Sequence, residues 1–205
     1  MTSQLKVDRI SPATGSEIII DGLSGGGLES VQHFTSSGTW TKTDGITKVV
    51  VEVQGAGGGG SVGASYINAT CGAYGKKLID VSLISTATIT VGAGGAGGLP
   101  TGPDGGLSSW DDGTNTVSAM GGYGGSASTL TDLNTTPVVA TAADLSIEGG
   151  LHTCFFGALA YSGAGDTQNL KDGFGFGGGG AGNHDTWPGT SGSGANGIVI
   201  VTEYK

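Results

Sequence analysis

Three glycines near residue 55 have the spacing of a phosphate-binding loop. Gly55, Gly57 and Gly60 follow the strand-like residues 51–53 in the order G-x-G-x-x-G, and Asp80 lies twenty residues beyond Gly60. In a dinucleotide site the third glycine opens a helix, and the pyrophosphate binds at the N-terminus of that helix. The stretch that follows here, "SVGASYINATCGAYG", is rich in glycine and β-branched residues and has no apolar stripe at helical spacing. The chain therefore lacks the helix that this chemistry needs.

Acidic residues are the other groups that could do chemistry. Asp111 and Asp112 are adjacent and point apart on any strand, and Glu148 has no evident partner, so none of them forms the carboxylate pair of a glycoside hydrolase. Asp104, Asp111 and Asp112 are candidate calcium ligands, but their spacing is not that of an EF-hand. The three histidines do not have metal-ligand spacing, and no nucleophile lies beside a base. We therefore expect a protein that is not an enzyme, with no metal and no cofactor.

Composition limits the class of protein further. The chain has 44 glycines among 205 residues and a net charge of −9, and Lys171 is the only basic residue between positions 101 and 190. Binding to a nucleic-acid backbone needs clustered Lys and Arg, so nucleic acid is not an expected partner. The N-terminus has no apolar signal region, and no apolar run approaches the ~20 residues of a membrane span. The sequence therefore predicts neither secretion by a signal peptide nor membrane insertion.

The two cysteines, Cys71 and Cys154, are 83 positions apart. Without a secretory signal, two reduced and buried thiols are the expected state. That separation also leaves a disulfide bond open as the alternative.

The elements that must position any site are strands. From residue 31 onward, apolar residues alternate with polar ones in several short runs, which is typical of half-buried strands. These runs are "ITKVVVEVQ", "KKLIDVSLI", "TATITV", "TNTVSAM" and "NGIVIVTEY". In the second run Ile79, Val81 and Leu83 share one face. Only residues 138–147 suggest a turn of helix. The sequence predicts an all-β fold.

Most of these strands run into glycine clusters, as in "VEVQGAGGGG" and "ITVGAGGAGG". Such clusters serve as flexible linkers, as turns with positive φ, or as extended polyproline-II-type segments that pack closely because they lack side chains. Apolar strands resume after every cluster, which disfavours linkers. We expect close-packed extended glycine segments joined by tight turns.

Residues 1–30 differ from the rest and form a separate N-terminal segment, followed by one β domain over residues 31–205. Their apolar residues include three consecutive isoleucines, which cannot share one face of a strand. A partner surface, formed by sister chains or another protein, would bury them, and packing against the chain's own domain is the alternative. The residues assigned to this attachment are Leu5, Val7, Ile10, Ile18, Ile19 and Ile20.

Residues 34–60, "FTSSGTWTKTDGITKVVVEVQGAGGGG", resemble the opening of the glycine-rich domain at the ends of tail fibres and adhesins of tailed bacteriophages. Residues 72–98 resemble the next two strands of that domain with their glycine exit, and "GSGANGIVIVTEYK" resembles its closing strand. The N-terminal "LKVDRISPATGSEIIIDGL" is similar to the segment by which such proteins join the virion. The chain lacks a coiled-coil or β-helical shaft after residue 30, which favours a short fibre or tip protein over a long fibre.

The resemblance implies a virion protein that is assembled in the host cytoplasm and forms part of a tail or head appendage. It implies a homotrimer with a glycine-rich β-sandwich-like domain and polyglycine-II-like segments. Its expected partners are other virion proteins, contacted through the N-terminal segment, and a host surface polysaccharide or outer-membrane protein, bound during adsorption. The alternative is a head decoration or capsid fibre that contacts no receptor.

The stretch from 99 to 190 is the least regular, and it places aromatic residues among Gly, Ser, Asn and Asp. Rigid rings among small polar residues are common in binding loops. The candidate receptor-binding residues are Trp110, Asp111, Asp112, Tyr123, Tyr161, His184, Asp185 and Trp187. In the alternative interpretation the tryptophans fill a thin core. Trp40 is expected to be structural, and Phe155 and Phe156 to be core residues with one of them at a subunit contact.

Overall fold

The computed structural model describes residues 27–63, 68–98, 100–126, 138–150, 154–158, 160, 172–184 and 190–205. Every regular element among them is a β-strand, so the predicted all-β class is confirmed. The strands are β1 (Leu28–Phe34), β2 (Gly38–Thr41), β3 (Lys48–Gln54), β4 (Val62–Gly63), β5 (Tyr74–Asp80), β6 (Thr86–Thr90), β7 (Ser108–Asp111), β8 (Thr116–Ala119), β9 (Ala140–Thr141), β10 (Leu145–Ile147), β11 (Gly157–Ala158), β12 (Phe174–Gly175), β13 (Asn183–His184) and β14 (Ile198–Tyr204). None of the described residues belongs to a helix that is long and apolar enough to cross a membrane.

Ten strands form two antiparallel sheets of five strands each. Sheet A has the order β1-β14-β3-β5-β10, and sheet B has the order β2-β6-β7-β8-β9. In sheet A, Val51 of β3 lies between Val201 of β14 and Lys77 of β5. Strands β11 and β12 form a separate antiparallel pair, and β4 and β13 form a short parallel one.

The two sheets pack face to face around one apolar core. On sheet A the inward residues Val49, Val51 and Val53 are fully buried, as their alternation predicts. On sheet B the rings of Trp40 and Trp110 are tilted against each other with centroids 5.9 Å apart. The other buried members of this core are Ile46, Ala73, Ile79, Val81, Ala87, Ile89, Val117, Ala119, Val138, Val199 and Val201.

Two local predictions are wrong. Residues 138–147 form β9 and β10 instead of a helical turn, because they cross from sheet B to sheet A. There Ala140 and Ala143 fill the space beside Gly75, where a side chain at position 75 would stand. The strand that was expected to include Leu83 ends at Asp80, and Leu83 lies fully exposed in the turn that follows.

Seven glycine-rich segments continue from one end of the sandwich, and together we call them the glycine bundle. Its central segment, residues 55–60, follows directly from β3. Six other segments surround it through backbone hydrogen bonds: residues 69–73, 92–98, 101–106, 120–126, 178–182 and 192–197.

The hydrogen bonds of the central segment repeat every third residue. The amides of residues 55–60 donate in turn to three segments that run in the opposite direction, with acceptors at Ala73, Gly106, Ala195, Thr70, Pro103 and Gly192, over 2.8 to 3.1 Å. The carbonyls of residues 56–60 accept in turn from three segments that run in the same direction, with donors at Gly122, Gly95, Gly180, Gly125 and Gly98. A period of three is the period of an extended polyproline-II-type helix. The central segment is therefore satisfied on all sides without belonging to a sheet.

The bundle requires glycine because its backbones approach each other closely, more than because of turn geometry. A Cβ at Gly57 would overlap the carbonyl of Gly178, and one at Gly58 would overlap the carbonyl of Tyr123. Positive φ occurs among the described glycines only at Gly45, Gly113, Gly175 and Gly177. The prediction of close-packed glycine segments is therefore confirmed.

The folded domain has two distinct ends, one formed by the bundle and the other by the sandwich. Because β3 enters the bundle at Gly55 and each residue of such a segment rises ~3.1 Å, the far end of the six-residue central segment lies ~19 Å from the sandwich. We call that far end the tip. Strand β1 begins at the other end, since Leu28 pairs with Tyr204 while Phe34 pairs with Val199 beside the bundle. Residue 27 and the tip therefore lie at opposite ends of the domain.

Candidate binding tip

The tip is closed by backbone pairing between segments that are distant in sequence. Ser61 forms a parallel bridge with Gly98, and Val62 of β4 pairs with Asn183 of β13. Positions 64–67 and 185–189 lie outside the described residues. The described residues that flank them are at this end.

Polar side chains along the bundle bind amides that its segments leave unpaired. Asn68 Oδ1 accepts from Gly182 N at 2.9 Å, and Asn196 Oδ1 accepts from Gly94 N at 2.9 Å. Asp104 Oδ1 accepts from Gly124 N at 2.8 Å. These groups stabilise the scaffold, so their presence in a glycine-rich stretch does not by itself mark a ligand site.

Uncharged groups and carboxylates share the exposed surface at and beside the tip. The exposed carboxylates of Asp104 and Asp172 accept hydrogen bonds from Gly124 N and Ser193 N. Pro100, Thr101 and Thr190 are exposed there, and Ser191 behind Thr190 is buried. Hydroxyl groups and free backbone groups can donate and accept hydrogen bonds without a charge. The described tip can therefore bind polar, uncharged ligands by hydrogen bonding.

Trp110 is not a surface binding residue, so that prediction is wrong. It is fully buried in the middle of sheet B, where it lies opposite Ile89 and Val117. Its side chain points inward because strand residues alternate between the two faces, and its ring fills the thin core beside Trp40. The alternative in which the tryptophans fill the core holds for Trp40 and Trp110.

Asp111 and Asp112 lie at the end of the sandwich opposite the tip, in the turn between β7 and β8. Asp111 Oδ1 accepts from Gly113 N at 2.8 Å, and Asp112 Oδ1 accepts from Thr114 N at 2.7 Å and Asn115 N at 2.6 Å. Burial opposes the charge of Asp112, but the hydrogen bonds from Asn115 and Thr114 outweigh it and lower the pKa of that carboxyl. Both residues therefore have a structural role in the turn and cannot form one site with residues at the tip.

The other predicted site residues are spread over the domain. Tyr123 is half-buried on the side of the bundle and packs partly against the core. His184 is at the tip in β13. Tyr161, Asp185 and Trp187 lie outside the described residues, and so do the predicted attachment residues Leu5, Val7, Ile10, Ile18, Ile19 and Ile20.

The sequence did not reveal an aromatic cluster at the base of the bundle. The ring of Phe155 stacks on Tyr74 with centroids 3.9 Å apart, and Phe156 meets Tyr74 edge-on at 5.5 Å. Tyr74 is almost fully buried while Phe155 is 47% exposed. Tyr74 donates its hydroxyl to Glu52, and burial together with that carboxylate raises the pKa of the phenol. The "CFF" sequence was the available signal, but nothing in it identifies Tyr74 as the partner.

A disulfide bond between Cys71 and Cys154 holds this cluster against the bundle, with the two Cα atoms 5.5 Å apart. The expectation of two reduced thiols is therefore wrong. It rested on the absence of a secretory signal. The fold brings residue 154 beside the bundle segment 69–73, where the two cysteines are close enough to bond. The bond positions Phe155, the next residue, over Tyr74.

At the end opposite the tip, an open groove of about 490 Å³ is lined by Asp80, Ser82, Leu83, Ile84, Thr114 and Asn115. Asp80 in this groove is exposed, and its pKa is lowered chiefly by hydrogen bonds from Ser82. Its environment therefore differs from the buried site that raises the pKa of a catalytic carboxyl. Among the described residues, no group of three His, Cys, Asp or Glu side chains is arranged to hold a metal ion.

Comparison with known proteins adds no family. No protein-family model matches the chain, and no curated protein matches it significantly.

Proposed function

We propose that this chain is a virion fibre protein of a tailed bacteriophage, a short tail fibre or tip adhesin that binds a host-cell surface receptor during adsorption. The observation that carries the proposal is the glycine bundle. It fixes the ends of several chain connections ~19 Å from the sandwich, with every central amide from 55 to 60 hydrogen-bonded. Loops on a rigid scaffold are the usual form of a binding surface.

The polarity of the domain supports this function. Residue 27 lies at one end and the tip at the other, so a chain attached through residues 1–26 would present its tip outward. This arrangement suits the predicted attachment of the N-terminal segment to other virion proteins. Several copies on one virion would raise avidity without any new contact.

The chemistry of the tip favours a polar ligand. The exposed tip residues Pro100, Thr101 and Thr190 are uncharged, and the exposed carboxylates beside them, Asp104 and Asp172, are negative. A neutral surface polysaccharide or the outer loops of an outer-membrane protein fit these groups better than a polyanion does. The resemblance of residues 34–60 and 72–98 to phage glycine-rich domains points to the same partners.

Blocking one end at a time tests the proposal. A fluorescently labelled full-length chain is titrated onto a panel of bacterial strains that differ in surface polysaccharide. Thr190→Cys at the tip and Thr114→Cys at the opposite end, both exposed positions, are each coupled to a bulky polyethylene glycol under non-reducing conditions. We expect saturable binding that is lost on blocking position 190 and retained on blocking position 114.

The result that would contradict the proposal is equal loss at both positions, or loss only on blocking position 114. Absence of saturable binding by the folded chain to every strain would favour the alternative, a head decoration or capsid fibre without a receptor. In that case purified virions stained for this protein would locate it on the head.

A further inference from the structure

The outward faces of the two sheets differ in chemistry. On sheet B the outward residues carry hydroxyl groups almost throughout: Thr39, Thr41, Thr86, Thr88, Thr90, Ser109, Thr116, Ser118 and Thr141, with Asp111 as the exception. That face is suited to water. The outward face of sheet A, which also has five strands, mixes Leu, Val and Ile side chains with charged and polar ones.

Cross-strand register defines the outward face of sheet A, because residues directly opposite each other point to the same side. Its first row is Leu28, Tyr204, Lys48 and Asp80; its second is Val31, Thr202, Val50 and Leu78; its third is His33, Ile200, Glu52, Lys76 and Leu145. We call these three rows the A face. Four of its residues are exposed large hydrophobics: Leu28 at 62%, Val31 at 54%, Leu78 at 55% and Leu145 at 49%.

The chain itself covers the fourth row of this face, next to the bundle. Tyr74 is 2% exposed beneath Phe155, and Gln54 is fully buried beside Gly177. The same sheet is therefore covered at one end and open over the other three rows. Strand β14 carries apolar residues on both faces: Ile200 faces outward, while Val199 and Val201 face the core.

Charge distinguishes the possible occupants of the A face. Its Lys and acidic residues balance, because Lys48 and Lys76 are matched by Asp80 and Glu52, and Lys76 Nζ lies 3.7 Å from Glu52 Oε1. The chain as a whole has 17 acidic and 8 basic residues. The A face is, by contrast, electrically neutral, and two A faces can meet without charge repulsion across the contact.

The size of the A face allows self-association. Its thirteen positions, each about 4.8 Å by about 7 Å, give roughly 440 Å² in projection. A contact between two A faces would be smaller than a standard interface, which buries ~800 Å² per partner. Exposed apolar side chains that cluster on a soluble protein usually mark a contact.

We propose that the A face is the surface through which two copies of this chain pair, with sheet packed on sheet around Val31, Val50 and Leu78. A self-complementary contact of this kind closes at two copies, so the pair would stand in place of the homotrimer that the resemblance implies. The contact is formed by the folded β domain and does not require the isoleucines of the N-terminal segment. It also does not depend on the identity of the receptor.

Sedimentation velocity of the full chain over a wide concentration range tests this contact. Val31→Lys and Leu78→Lys, made together, place two charges on the A face at positions that are more than half exposed, so the fold should tolerate them. The matched control, Thr41→Lys with Thr116→Lys, places two charges on exposed positions of sheet B. Circular dichroism melts verify that all three proteins are folded.

We expect the unmodified chain and the sheet B control to be oligomers of the same mass. The A-face variant should associate at least about a hundredfold more weakly, because like charges would face each other across a desolvated contact. A monomeric unmodified chain, an A-face variant that stays fully associated, or equal dissociation of both variants would overturn the proposal. A monomer that still binds cells would overturn it while leaving the receptor function in place.

Discussion

Trp40 and Glu203 are joined by a buried hydrogen bond between the indole Nε1 and the carboxylate Oε1, 3.1 Å apart. The same carboxylate also accepts hydrogen bonds from Ser30, Gln32 and Thr43. Glu203 is fully buried, and a buried charge is tolerated when donors surround it. One side chain therefore connects β1, β2, the turn after β2 and β14 at the end of the sandwich opposite the bundle.

Replacing Glu203 by Gln should destabilise the domain by about 2–3 kcal/mol, because the amide removes the charge and turns a donor toward other donors. Urea unfolding followed by tryptophan fluorescence measures the loss. Glu148→Gln, at an exposed position, is the matched control and should change stability little. A Glu203→Gln variant as stable as that control would show that the cluster contributes nothing net.

Acid should weaken the fold through the same group. Burial opposes the charge of Glu203, but hydrogen bonds from Ser30, Thr43 and Gln32 outweigh it and lower its pKa in the folded state. A lowered folded pKa gives stability that is fully present above the unfolded value of about 4.3 and is lost as pH falls through the folded pKa. Thermal melts from neutral pH to about pH 3 should show this loss in the unmodified chain. The Glu203→Gln variant should show a shallower decline, and parallel curves would contradict the assignment.

The central segment of the bundle should not tolerate the added methyl group of an alanine. Gly57→Ala places a Cβ on the carbonyl of Gly178, and because that atom belongs to another backbone it cannot move alone. We expect a loss of at least about 3 kcal/mol, or failure to fold. Gly38→Ala is the matched control, since nothing lies within 4 Å of a Cβ there, and it should be neutral within about 0.5 kcal/mol. Equal melting temperatures for the two variants would contradict the packing of the central segment.

Reduction of the disulfide bond should destabilise the domain by about 3–5 kcal/mol, since the bond closes a loop across a sequence separation of 83. Denaturant unfolding with and without a reducing agent measures the difference. The double variant Cys71→Ser/Cys154→Ser should resemble the reduced chain and should not respond to the reducing agent. Detection of two free thiols in the denatured, unreduced protein would contradict the bond.

Alternating patterns predicted that the runs of β3, β8 and β14 are strands, because period two is a local property of a strand. In β14 both faces carry apolar residues, so the pattern alone did not show which face is inward. The glycine clusters likewise predicted close packing, since glycine alone permits it. The identity of the neighbours could not be predicted: Gly57 bonds to Ala195, and no local pattern connects residues so far apart.

Site predictions failed where a residue type has two common environments. Trp110 lies among Ser and Asp in sequence, yet its place in β7 puts it in the core. Asp111 and Asp112 have the composition of a binding loop but bind turn amides. The structural role of Glu203 could not be predicted, because its hydrogen-bond donors come together only in the folded chain. They are residues 30, 32, 40 and 43.

The order in which the chain is synthesised has a consequence for the bundle. Residues 55–60 emerge early, but the amides of Gly57 and Gly60 find their acceptors at Ala195 and Gly192, just before β14. Strand β14 also separates β1 from β3 in sheet A, so neither the sheet nor the bundle is complete until residues 192–204 have left the ribosome. Contacts of such long range make folding slow. Until then β1 and one edge of β3 have no partner, so we expect production of this protein to be sensitive to chaperones and to temperature during expression.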